Sequence, residues 1–143
     1  MKEQLFFIGV KGLIKNSQGQ ILLLLADVST HRKNTEPYWD IPGGRIEKGA
    51  GLVDTLAREI SEETGVAIDA STAVQVATAV SKHQVPVDDD ITAGLALVVY
   101  SVTIPDSATI TISPEHERYE WVEVAEAKLR LSNKYPSDFT DKL

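Results

Sequence analysis

The sequence contains no cysteine, which excludes disulfides, thiolate metal sites and a thiol nucleophile. That absence suits a reducing compartment. Positive charge is also scarce: 14 Lys and Arg stand against 21 Asp and Glu, a formal net charge of −7. Such a chain has no overall field to attract DNA or RNA. An acidic site still binds a small anion when a divalent cation bridges the two. No apolar run is long enough to cross a membrane. The N-terminal run Leu5 to Val10 stops at Lys11, short of a signal-peptide core. The expectation is a cytoplasmic protein, a monomer or homodimer, with neither a membrane nor a nucleic-acid polymer as partner. Internal repeats, low-complexity tracts and linkers are missing too. The 143 residues, 43% hydrophobic and 24% charged, are therefore expected to fold as one domain over residues 1–143.

What is present divides cleanly at turn signals. Leu5 to Ile14 and Gln20 to Ala26 read as apolar strands joined by Asn16-Ser17-Gln18-Gly19, a hairpin. Asp27 to Pro37 reads as a polar loop. Tyr38 to Ile41 reads as a short strand stopped by Pro42-Gly43-Gly44. Val53, Leu56, Ala57 and Ile60 recur at helical spacing, which predicts a helix over 52–64 capped by a left-handed Gly65. Strands are expected at 74–80, 91–104 and 119–122, a helix at 124–131 and a last short helix within 135–143. Consecutive apolar strands point to antiparallel pairing, and the helices must cover the sheet. The fold class is α/β, a sandwich around a mixed sheet.

The helix carries the chemistry. Glu59, Glu62 and Glu63 project from one side, because positions three and four apart share a helix face. Like charges so close repel one another, and folding alone gives no reason to gather them. A divalent cation removes the penalty, and hard oxygen ligands suit Mg²⁺ or Mn²⁺. The alternative is a solvated acidic face. Upstream, Gly43-Gly44 forms a turn where backbone approaches a ligand closely.

Gly44, Arg58, Glu59, Ile60, Glu62, Glu63, Gly65 and Val66 stand at fixed intervals, and the stretch from Gly44 to Val66 resembles the Nudix box. The resemblance implies a Nudix-type α/β/α sandwich around a mixed β-sheet. It also implies Mg²⁺-dependent hydrolysis of a pyrophosphate bond in a nucleotide, with Mn²⁺ as the other metal. By the same resemblance Glu59 and Glu63 are direct metal ligands, Glu62 is a ligand or a water-mediated partner with a catalytic role, and the Gly43 carbonyl is a further ligand. Arg58 orients Glu59 by a salt bridge. One position departs: the first box glutamate falls at residue 50, which is Ala50. Glu47, three residues early, is not a proper replacement. Ala50 keeps a second reading open, a Nudix-fold module that binds a nucleotide without cutting it. A third reading, a purely structural acidic domain, predicts no dependence of stability on Mg²⁺.

Outside the box, Glu115 precedes the expected aromatic strand of Trp121 and resembles the extra carboxylate of some nucleoside-triphosphate-cleaving relatives, as metal ligand or general base. A charged surface loop is the competing reading; Glu117 and Glu120 are weaker candidates, and Asp88, Asp89 and Asp90 read as a solvated turn. Tyr38 and Trp39 are either base-stacking or core aromatics. Arg32 and Lys33 are phosphate contacts or solubilising charges, and Asn133 either bonds a base edge or caps the terminal helix. His31, His83 and His116 show no ligand spacing.

Overall fold

In the computed structural model, residues 2–27 and 36–143 are described; Arg32, with His31 and Lys33, lies outside them. Among the described residues, eight strands and three α-helices follow the order β1 (Phe6–Lys15), β2 (Ile21–Ala26), β3 (Trp39–Asp40), β4 (Gly43–Arg45), α1 (Leu52–Thr64), β5 (Val74–Val80), β6 (Val85–Pro86), β7 (Thr92–Thr103), β8 (His116–Val122), α2 (Val124–Leu131) and α3 (Ser137–Thr140). The sheet is mixed. β1 runs parallel to β7 along Phe6 to Lys15, and every other pairing is antiparallel.

Alternation along β2 shows why helices lie on both faces. Ile21 and Leu23 enter one apolar cluster with Leu131, Tyr135 and Phe139, beneath α2 and α3. Leu22 and Leu24 enter the other with Leu56 and Ile60 of α1. A strand covered on both faces reads as the unbroken apolar run seen here. α1 spans the expected 52–64 and ends at Gly65 with φ 74, whose N–H reaches the Ser61 carbonyl.

The expected hairpin is a hairpin only at its mouth. β1 and β2 pair at Lys15 and Ile21 and then part. The far edges are taken, since β7 runs along β1 and β8 along β2. The inner edges are filled by the returning chain: β3 pairs with Leu24 and Leu25 of β2, and β4 with Gly9 to Lys11 of β1. Gly43-Gly44, expected as a turn, is thus a strand, because the open edge of β1 supplies partners for its backbone. The chain crosses the fork at Ile41-Pro42. Among the described residues no helix is long and apolar enough to cross a membrane.

Candidate active site

The last two turns of α1 lie against β4. Glu63 is buried, and its Oε2 accepts the Gly43 N–H at 3.0 Å. The contact shown for Gly43 is therefore its N–H. Burial pushes the Glu63 carboxyl up to about 8, with Glu59 and Asp40 adding to the rise; Lys11 and the Gly43 N–H oppose it. Glu59 is also raised, first by burial and then by Glu62 and Glu115, against the pull of Arg58. Gly44 lies beneath it: a Cβ there would meet the Glu59 carboxyl at 2.7 Å and push it aside. At Gly43, φ is 151 and a Cβ would overlap the Val10 carbonyl, so only glycine brings β4 this close.

Arg58 is half exposed and bridges two glutamates, with Nη2 3.2 Å from Glu59 Oε1 and Nη1 3.2 Å from Glu62 Oε1. Glu62 faces solvent. Among the described residues no three Asp, Glu or His side chains converge tightly enough to hold a metal by themselves. The pieces nonetheless suit Mg²⁺, which binds through one or two carboxylates and completes its shell with water and substrate oxygens. The donors are all oxygens, and burial disfavours the charged form of the inner one, Glu63, which a bound cation would restore.

Glu115 is exposed at the start of β8. Its carbonyl accepts the Asp27 N–H at 2.8 Å, and its carboxylate acts electrostatically on Glu59 and on His116. His116 Nδ1 is buried with no partner among the described residues. Glu120 faces away, bonded to Arg130 at 2.6 Å, and Asp88 closes its own turn by accepting the Asp90 and Ile91 N–H groups. Trp39 is half-buried, with the Arg130 and Arg118 guanidiniums 4.7 and 5.4 Å from its ring centre. Asn133 is exposed and caps no helix; the residue at the N-terminus of α3 is Pro136. Ala50 is exposed and precedes Gly51, the N-cap of α1, where no side chain bonds the helix end.

Sequence reasoning passed over the buried cluster in the fork. Asp40 Oδ2 accepts from Lys11 at 3.0 Å and Lys134 at 2.7 Å. Its Oδ1 accepts from the Ile41 N–H at 2.8 Å and the Tyr135 hydroxyl at 2.6 Å. Burial alone would raise the Asp40 carboxyl, but the two ammonium groups and these bonds hold it well below the usual range. Lys11 is desolvated too, yet Asp40 and then Glu63 keep it above its ordinary value. Lys11 thereby couples the fork to the carboxylates of α1. The legible signal was a lysine inside an apolar strand.

A family model described as NUDIX domain matches residues 5–143. The MutT protein from Methanosarcina mazei Go1 superposes with a TM-score of 0.69 at 28% identity, covering 99% of this chain and 93% of that one. A C. elegans Ap4A hydrolase shares the fold, with a TM-score of 0.67 at 16% identity over 95% of this chain and 91% of that one. A putative 8-oxo-dGTP diphosphatase of Bacillus subtilis (strain 168) is 38% identical over 53 residues, 37% of this chain and 31% of that protein. The chain spans between 18% and 31% of the curated relatives it matches.

Proposed function

The chain belongs to the NUDIX domain family, and we propose that it is a Mg²⁺-dependent pyrophosphohydrolase of a nucleoside triphosphate or related nucleoside diphosphate derivative. The observation that carries the reading is the buried Glu63 carboxyl held on the Gly43 N–H, with Glu59 over Gly44 beside it. Two carboxylates against a side-chain-free backbone edge leave room for a diphosphate and its cation.

In this reading Glu59 and Glu63 hold the metal, with Glu62 and the Gly43 carbonyl contributing directly or through water. When bound, Mg²⁺ or Mn²⁺ neutralises charge on the phosphate oxygens and acidifies a coordinated water. Arg58 is a positioning residue that fixes the Glu59 carboxylate. Glu115, exposed and within electrostatic reach of Glu59, receives the proton from the attacking water. Arg32 and Asn133 are candidate substrate contacts. Trp39 is a third candidate, with the Arg130 and Arg118 guanidiniums already beside its ring. The setting that completes the proposal is a single cytoplasmic domain, monomeric or homodimeric.

The test is release of pyrophosphate or phosphate from a panel of nucleotides with Mg²⁺, with Glu63→Gln abolishing it. The exposed Ala50 favours one alternative, a nucleotide-binding module without turnover. Ligand-induced thermal stabilisation with no product from any substrate would establish that alternative.

A further inference from the structure

The sheet ends on β5, which pairs with β7 on one side and with no other strand among the described residues. Its sequence, VQVATAV, contains no proline and no charge. Natural sheet edges are usually blunted by such residues, because open N–H and C=O groups invite another strand. The one interruption is a bulge between Gln75 and Ala77, which leaves Ala77 to Val80 regular. Val76 and Val80 are 43% and 55% exposed, and Thr78 is exposed with them. Phe139 of α3 enters the same cluster as Ala77 and Ala79, so that helix covers a face of β5 and leaves the edge open.

The ladder decides which backbone groups the edge offers. The Ser81 N–H bonds the Leu95 carbonyl at 2.9 Å. Bonded pairs recur at every second residue of an antiparallel ladder, so Ala79 and Ala77 turn their groups toward Leu97 and Val99. Thr78 and Val80 turn theirs outward, where no partner among the described residues meets them.

The same strip reads identically in both directions: Val76-Ala77-Thr78-Ala79-Val80 is a palindrome centred on Thr78. An antiparallel second copy therefore sets Thr78 against Thr78, Ala77 against Ala79 and Val76 against Val80. The central pair can exchange both of its N–H···O bonds, since its groups point outward in each copy. Side chains match at every pair, and the β-branched ones meet across the strands. A two-fold axis through one residue makes the contact self-complementary. A second copy brings this match by symmetry, whereas an unrelated strand would have to supply it residue by residue. Charge agrees, because two chains of net charge −7 repel elsewhere and the strip is uncharged. A hollow of about 320 Å³ at Thr78, Ala79 and Val80 has Asp138 as its one charged lining residue.

We propose that β5 is a homodimer interface, on which a second copy of this chain pairs antiparallel about Thr78 and joins the two sheets into one. Pairing of 76–80 spans about 17 Å and closes less than about 1,200 Å² in total, so the dimer is weak, dissociating on the order of 10–100 µM. The proposal does not depend on the hydrolase reading.

Sedimentation equilibrium of the full chain, from about 1 µM to 1 mM in about 0.15 M salt, should show the mass rising from one copy toward two. Thr78→Lys and Thr78→Glu each place like charges opposite one another at the axis, and each alone should weaken association about fivefold or more. Mixed one to one, the two variants place opposite charges there and should restore a heterodimer. Thr78 is exposed, so both variants are expected to fold, and the wild-type series decides the matter if they do not. A wild-type chain that stays a single copy at 1 mM overturns the proposal and leaves the edge to a foreign strand or to none. A dimer unchanged by Thr78→Lys overturns it too, since that dimer pairs elsewhere. Loss in both variants without recovery in the mixture overturns the pairing about Thr78.

Discussion

The Gly43 N–H donates to Glu63 Oε2 over 3.0 Å, so the β4 edge is tied to the end of α1 through a carboxyl group that burial pushes up to about 8. A raised folded-state value means that the folded protein holds this proton over a pH range in which the unfolded chain has released it. The stability it confers is full below the ordinary value of 4.5 and is lost as pH rises through about 8. His116 works the other way, because burial lowers it from 6.5 and stability from it grows with pH up to that point. The Glu63 effect is therefore cleanest above pH 6.5. Without metal, stability should fall by about 1–2 kcal/mol between pH 6.5 and 8, a few degrees in Tm. Glu63→Gln should flatten that slope. Millimolar Mg²⁺ should raise Tm, and raise it more at pH 8 than at pH 6.5. Melting curves at both pH values check this, and an Mg²⁺-insensitive Tm would count against the site.

Arg58 holds Glu59 and Glu62 from the solvent side. Losing it frees the Glu59 carboxylate without removing a metal ligand. Arg58→Ala should lower kcat by about 10–100-fold, the usual cost of losing a residue that orients a ligand, with KM changing much less. Steady-state kinetics on the best substrate decide it. A change in KM alone would mean that Arg58 binds substrate directly. Arg58→Lys, which keeps one bridge, should recover part of kcat.

Ala50 is exposed just ahead of the α1 N-cap, where no side chain satisfies the helix end. A carboxylate there is favoured by the helix dipole by about 0.3–1 kcal/mol and, by the resemblance to the Nudix box, adds negative charge toward the metal ligands. Ala50→Glu should lower the Mg²⁺ concentration for half-maximal rate by a few-fold and raise Tm slightly. An Mg²⁺ titration of the rate is the measurement. Loss of existing activity would mean that Ala50 makes room for a ligand group.

Asp40 joins Lys11, Lys134 and Tyr135 in the fork. Removing its charge takes from two buried ammonium groups the carboxylate that both of them bond. Asp40→Asn should destabilise the fold by about 3–5 kcal/mol. Tyr135→Phe deletes one bond to a charged acceptor and should cost about 1.5–3 kcal/mol. Chemical denaturation gives both values; near-neutral Asp40→Asn would mean that the lysines find other acceptors.

Much of the fold was legible because its signals are local. The bounds of α1 and α2 came out of the apolar spacing, and Gly65 stopped α1 because only a residue tolerant of φ 74 ends a helix in that way. The acidic stripe was legible for the same reason, since spacing along one helix fixes which side chains share a face. The parting of β1 from β2 was not legible. Hairpin chemistry at Asn16 to Gly19 describes only the turn, whereas the separation beyond Lys15 depends on β7 and β8 occupying the outer edges. For that reason Gly43-Gly44 read as a turn although it pairs as a strand.

The sequence by itself determined the helices, the long apolar strands and the carboxylates of α1, because each is a matter of residues a few positions apart. Tertiary structure alone decided which groups surround those carboxylates. Lys11, Asp40 and Lys134 are separated by 29 and 94 residues along the chain, and no local pattern marks them as one cluster. Burial joins them: in the fork each charge loses its water, and the fold is stable there only with the lysines and the aspartate in contact.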